Sequence, residues 1–200
     1  MKDICVLFIV ACSLSFGSYY ILRIYQTRER CPKKPDPTIS TWIMFLVGCA
    51  LSFTTYMVAE NKDIRSGILN AVDLVYIVAI LMAIIAWGER KVRFKPFEKW
   101  YLVGAGGIVA YGFITGNAWK SNVLAQILMS VAYIPTFHAL ISQKKNTESF
   151  AAWTPAAVNA LVALYPADNN LAVGYALRAF VFSSATSALM VYYHFKGKKP

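Results

Sequence analysis

Two hundred residues of 22.3 kDa carry 58% hydrophobic and only 15% charged side chains, with a mean hydropathy of +0.48. That composition excludes an ordinary soluble domain, whose solvated surface needs more charge, and implies an integral membrane protein. Twenty Lys and Arg against ten Asp and Glu give a net charge of +10, so the placement of those charges decides between nucleic-acid binding and membrane orientation.

A helix needs roughly 20 apolar residues to cross the hydrocarbon core, about 17 to 25 with tilt, and seven runs of this kind are expected, in chain order as follows. The first, 4–25, begins behind Lys2 and contains IVAC before Ser13, a pattern shared with lipoprotein signals that end on a modifiable cysteine, here Cys12. Its apolar stretch continues to Tyr25, which favours an uncleaved helix. The second, 40–59, opens behind KPDPTISTW and has Trp42 in its first turn, and the third, 66–87, holds Asn70 and Asp73. The fourth, 100–114, is short and carries Gly104, Gly106, Gly107 and Gly112; no strand precedes it, so these glycines read as helix packing and not as a nucleotide loop. The fifth, 119–141, contains Gln126, Tyr133, Pro135 and His138, and the sixth, 150–165, contains Trp153, Pro155 and Asn159. The seventh, 171–195, contains Arg178 but no lysine, which removes the Schiff-base residue that a retinal protein needs. Cys5, Cys12, Cys31 and Cys49 have no metal-binding spacing, and with two isolated histidines they predict neither a metal nor another cofactor.

The loops after the first, third and fifth runs, with the C-terminus, hold fourteen Lys and Arg, among them Arg28, Lys34, Arg90, Lys99, Lys144 and Lys198. The opposite side holds four, namely Lys2, Lys62, Arg65 and Lys120. Basic loops stay cytoplasmic, so the N-terminus is expected outside and the C-terminus inside. The same clusters then contact anionic lipid headgroups and are not a nucleic-acid footprint.

An internal repeat organises the runs. SFGSYYILRIYQTRERCPKKPDPTISTW, ending at Trp42, resembles SVAYIPTFHALISQKKNTESFAAW, ending at Trp153: each is a helix with tyrosine, a basic loop, and a new helix with Trp in its first turn. The third and seventh runs also correspond in position. The expected domains are a first three-helix repeat over 1–87, a linker with the fourth helix over 88–118, and a second three-helix repeat with a basic tail over 119–200, related in parallel. This arrangement, with AYIPTFHALISQKKNTESFAAW over 132–153, resembles the PQ-loop or SWEET-like (MtN3) superfamily of small membrane transporters, closest to a bacterial branch. Pro135 matches the family's proline, Thr136 stands where its glutamine is frequent, and the first repeat has Tyr19 and Tyr20 without a proline. The resemblance implies an all-α membrane fold of 3+1+3 helices, alternating access between the repeats, and polar site residues from the third helix of each, where Asp73 and Arg178 lie.

A charge at mid-membrane is costly and normally faces the bundle interior. Asp73 and Arg178 each lie seven residues from the expected outer start of their runs, about 10 Å deep at roughly 1.5 Å per residue. Gln126 and Asn159 come to a similar depth, and Asn70 lies one turn from Asp73. Two readings stand side by side. In one, Asp73 and Arg178 form a buried ion pair that locks the repeats, with Gln126 and Asn159 bonded to backbone. In the other, Asp73, Arg178, Asn159, Gln126 and Asn70 line a cavity that binds a small polar or zwitterionic solute. Trp42, Trp153, Tyr19, Tyr20 and Tyr133 are candidate gates as well as ordinary interfacial or packing aromatics, and Pro135 and Pro155 are candidate hinges as well as static kinks. His138 near the inner end reads as a capping histidine or a proton switch. No nucleophile, base and orienter can be assembled, so no enzyme is expected. The expected function is facilitated transport of a small polar metabolite; the alternative is a receptor, regulatory or assembly protein on the same scaffold, and a homo-oligomer is compatible with both.

Overall fold

The computed structural model describes residues 1–30, 39–59, 63–87, 96–144, 146 and 148–196. Many of the basic residues behind the expected orientation, including Lys33, Lys34, Arg90, Lys91, Arg93, Lys95, Lys145 and Lys198, lie outside the described residues. Those described are almost wholly helical and include no strand: α1 Lys2–Arg30, α2 Ile39–Ala59, α3 Ile68–Trp87, α4 Pro96–Thr115, α5 Ala118–Val131, α6 Ile134–Gln143, α7 Phe150–Ala163 and α8 Asn170–Lys196.

The expected fifth run is therefore two helices in line. Pro135 explains the interruption: it has no N–H for the carbonyl of Val131, and its ring crowds that carbonyl, so α5 stops at Val131 and α6 restarts with Pro135 in its first turn. Pro155, by contrast, sits inside α7 without interrupting it. Between α4 and α5 the chain reverses within two residues. Gly116 adopts a left-handed φ of 63°, its N–H donates to the Gly112 carbonyl at 2.9 Å, and Asn117 caps α5 by accepting from the Lys120 N–H at 2.9 Å.

Among the described residues, four stretches are long and apolar enough to cross a membrane: Lys2–Gln26, Trp42–Ala59, Ile68–Trp87 and Ala118–Gln143. The apolar α7, Phe150–Ala163, is shorter. Large apolar side chains such as Leu14, Val75, Met82, Val103, Ile127 and Leu177 point outward, while Ser52, Asn70, Asn122, Asn159, Arg178, Ser183 and Thr186 are buried. This inside-out distribution suits an apolar surrounding, where every buried polar group must find a partner within the bundle.

Helix α3 packs against α1 and α2, and α8 packs against α5, α6 and α7. The two groups meet where α1 contacts α7 and α2 contacts α5, while α4 lies against α2 and α5. At one end, the N-terminus of α1 is tied to both groups: Arg65 pairs with Asp3 at 2.9 Å, and Lys2 pairs with Asp168. Two hydrogen bonds add to this end, from the Asp168 N–H to Ser66 Oγ at 3.3 Å and from Asn169 Nδ2 to the Tyr56 hydroxyl at 3.0 Å. The opposite end is an aromatic cluster that includes Trp42, Phe45, Tyr133, Trp153 and Phe182. Between the two ends a polar layer is set among buried apolar side chains.

Candidate functional site

The centre of the polar layer is Ser52 of α2, fully buried and seven residues from the end of that helix. Its Oγ accepts from Asn70 Nδ2 of α3 at 2.9 Å and from Gln126 Nε2 of α5 at 2.7 Å. Gln126 Oε1 in turn accepts from Arg178 Nε of α8 at 2.9 Å, so one amide joins α2 to α8 and its orientation is fixed by a donor on one side and an acceptor on the other. Asn122, one turn before Gln126 on α5, strengthens the seam: its Nδ2 donates to the Ser52 carbonyl at 2.6 Å and to Thr55 Oγ1 at 3.0 Å, and its Oδ1 accepts from Gln126 at 3.3 Å.

A second branch runs through Tyr175, one turn before Arg178. Its hydroxyl donates to Asp73 Oδ2 at 2.8 Å, and its ring carries the Arg178 guanidinium 4.6 Å from the centroid. The Cys49 thiol lies 3.4 Å from both the Tyr175 hydroxyl and Asn70 Oδ1, closing the circuit back to Ser52. Because Tyr175 already gives its proton to Asp73, the thiol is the donor in this corner.

Asp73, Asn70, Gln126 and Arg178 thus join one network. The direct Asp73–Arg178 ion pair is not formed: among the described residues the ion pairs are Lys2–Asp168 and Arg65–Asp3. Tyr175 stands between the two charges, serving one with its hydroxyl and the other with its ring. Asn159 does not join the network. It is buried between α7 and α1, where its Nδ2 donates to Ser13 Oγ at 2.8 Å.

The aromatic residues divide in the same way. Trp42 packs against Tyr20, Phe45 and Tyr76, while Trp153 packs against Phe45 and Tyr133, so Phe45 bridges the two tryptophans. The tyrosine turned inward on α1 is Tyr20, 8% exposed; Tyr19 faces outward at 55%. Trp153 also donates its indole N–H to Glu148 Oε2 at 3.1 Å, and burial pushes the Glu148 carboxyl above its ordinary range, an effect this bond partly offsets. His138 is exposed and lies beside Ser142 Oγ.

A cavity of about 10 Å³ lies beside the network, lined by Tyr56, Ser66, Asn70, Ala172 and Tyr175 among others. This is room for about one water. No metabolite fits this cavity, and the polar groups of the network are satisfied mainly by one another. Among the described residues no three His, Cys, Asp or Glu side chains gather as a metal site.

Ser52, Asn122, Cys49, Thr55 and Tyr175 were not singled out by the sequence reading. Their signal is spacing: Asn122 and Gln126 are four apart, Cys49, Ser52 and Thr55 recur every three, and Tyr175 and Arg178 are three apart, so each set shares a helix face. No protein-family model matches the chain, and neither a curated protein nor a solved structure does.

Proposed function

We propose that the chain is a seven-span, SWEET-like membrane transporter that moves a small polar metabolite by alternating access between two three-helix halves, α1–α3 and α5–α8, joined by α4. The observation that carries this reading is the position of the polar network. Its central bonds, Gln126 to Ser52 and Asn122 to Ser52 and Thr55, run across the junction of the halves and not within either one. A solute held there would replace those bonds as the halves separate.

The packing pairs support the 3+1+3 arrangement. If α1, α2 and α3 are exchanged for α5–α6, α7 and α8, the pairs α1 with α3, α2 with α3 and α1 with α7 become α5–α6 with α8, α7 with α8 and α5 with α2, all of which occur. The break at Pro135 and the bridging Phe45 supply a hinge and an inner gate in this scheme. The basic loops supply an orientation with the C-terminus in the cytoplasm and contacts to anionic headgroups. In this scheme no enzymatic step, cofactor or nucleic acid takes part.

One observation favours a second reading, a receptor, regulatory or assembly protein: a cavity of about 10 Å³ admits no metabolite. Flux into liposomes carrying the purified protein separates the two. Saturable uptake of any member of a panel of sugars, nucleosides, vitamins and amino acids, reduced at least about tenfold by Gln126→Ala, fits the transporter. Absence of uptake across the panel with folded protein rejects it.

A further inference from the structure

Among the described residues, two buried polar atoms of this layer have no hydrogen-bond partner: Arg178 Nη1 and the Tyr101 hydroxyl. Arg178 is 8% exposed and Tyr101 is 3% exposed, so neither group is served by bulk solvent. Buried donors left unpaired are rare, and each calls for a physical reason. Here two such donors occur in one layer. Tyr101 comes from α4 and presses its hydroxyl onto Gly48, where a Cβ would collide with it. Gly48 precedes Cys49 of the network, which brings the Tyr101 hydroxyl to the edge of the polar layer. The Arg178 guanidinium has spent Nε on a neutral amide and its face on Tyr175, and among the described residues no carboxylate is in ion-pair range of it.

A planar guanidinium with a free N–H and, in the same layer, a free phenolic hydroxyl make up a donor set for a carboxylate, whose two oxygens each take one bond. We infer that the solute of this site carries a carboxylate, received by Arg178 Nη1 and the Tyr101 hydroxyl. This deepens the transport reading and rests on the polar network being a solute site. Asp73 sharpens the preference further. Its carboxylate is engaged by Tyr175 through Oδ2, and a solute that also bears an ammonium group would leave the charge of the layer balanced. Tyr133, in contact with the same guanidinium from the aromatic side, would close over the bound group.

Equilibrium binding to the detergent-purified full chain tests the inference with matched acid and amide pairs: lactate against lactamide, alanine against alaninamide, and benzoate against benzamide. The expected result is that in at least one pair the acid binds about tenfold or more tighter than its amide. Arg178→Gln should abolish that preference, and Tyr101→Phe, which keeps the ring and its packing, should lower acid affinity about three- to tenfold and amide affinity by less, so that the preference narrows. Equal binding of acid and amide in every pair, binding of no acid at all, or a preference unchanged in Tyr101→Phe overturns it. If Arg178→Gln does not fold, the Tyr101→Phe comparison still decides. Flux is scored separately on the same proteins, so acid-selective binding without liposome uptake supports the carboxylate site while rejecting transport.

Discussion

Ser52→Ala removes one oxygen and strands two donors. Asn70 Nδ2 and Gln126 Nε2 both end on Ser52 Oγ, at 2.9 and 2.7 Å, in a place with no exposed surface. Interhelical hydrogen bonds in membrane proteins average about 0.6 kcal/mol by double-mutant cycles and reach about 1.7. A buried donor left unpaired costs about 1–3 kcal/mol. Gln126 keeps a weak second outlet in Asn122 Oδ1 at 3.3 Å, so part of its loss is recovered. The expected destabilisation is about 1.5–3.5 kcal/mol, read from reversible unfolding in mixed micelles of increasing denaturing-detergent fraction. Ser15→Ala is the matched control: its hydroxyl is exposed and bonds only back to the Ala11 carbonyl of its own helix at 2.8 Å, so the change should stay within about 0.5 kcal/mol. Equal stability of the two variants would refute Ser52 as the shared acceptor that joins α2 to α3 and α5.

Further outcomes follow from single contacts. Burial raises the Glu148 carboxyl above the unfolded value, so the folded state binds the extra proton, and stability is gained as pH falls through the window between the raised and ordinary values. Glu148→Gln keeps an acceptor for Trp153 without the buried charge, so the wild-type melting midpoint should approach that of the variant as the pH drops from 7 toward the ordinary glutamate range; a constant gap would exclude this assignment. Gly48→Ala places a methyl against the Tyr101 hydroxyl and 2.8 Å from Met129 Cγ, at an expected cost of about 1–3 kcal/mol. Tyr101→Phe should return part of that cost, a coupling measurable by a double-mutant cycle and absent if α4 packs elsewhere. Pro135→Ala restores an N–H to the Val131 carbonyl and should join α5 to α6, seen as greater amide-exchange protection around 131–136.

Charge and amide groups in apolar runs are expensive there and carried most of the signal: Asp73, Arg178, Gln126 and Asn70 all fall in the network, while Asn122, an amide one turn before Gln126, was passed over. Ser52, Cys49 and Tyr175 cost little on an apolar helix and left no such mark, although they hold the expensive groups together. Depth along a helix can be counted from sequence, but rotation about its axis advances about 100° per residue. That rotation is why Asn159, placed at the right depth, faces Ser13 of α1, and why Tyr20 points inward while its neighbour Tyr19 points out. The division of the fifth run was legible as Pro135. The missing Asp73–Arg178 pair was not, because nothing in a one-dimensional reading puts Tyr175 between the two charges.

The closed network and the proposed movement are energetically compatible. Separating α5 from α2 breaks the Gln126–Ser52, Asn122–Ser52 and Asn122–Thr55 bonds, at about 0.6 kcal/mol each when the released groups find new partners. The total is about 2 kcal/mol, which leaves an open minor state populated at the per-cent level. The same separation with no new partner would cost about 1–3 kcal/mol for each orphaned group and would be closed off. A solute that supplies hydrogen-bonding atoms at the seam converts the second case into the first. A facilitator of the proposed kind requires this: the α2–α5 bonds would be the ones that a polar solute replaces. On this argument Asn122→Leu, which removes two of the three bonds and offers the solute nothing, should loosen the seam yet lower solute affinity. Faster amide exchange along α2 and α5, combined with tighter solute binding, would sink it.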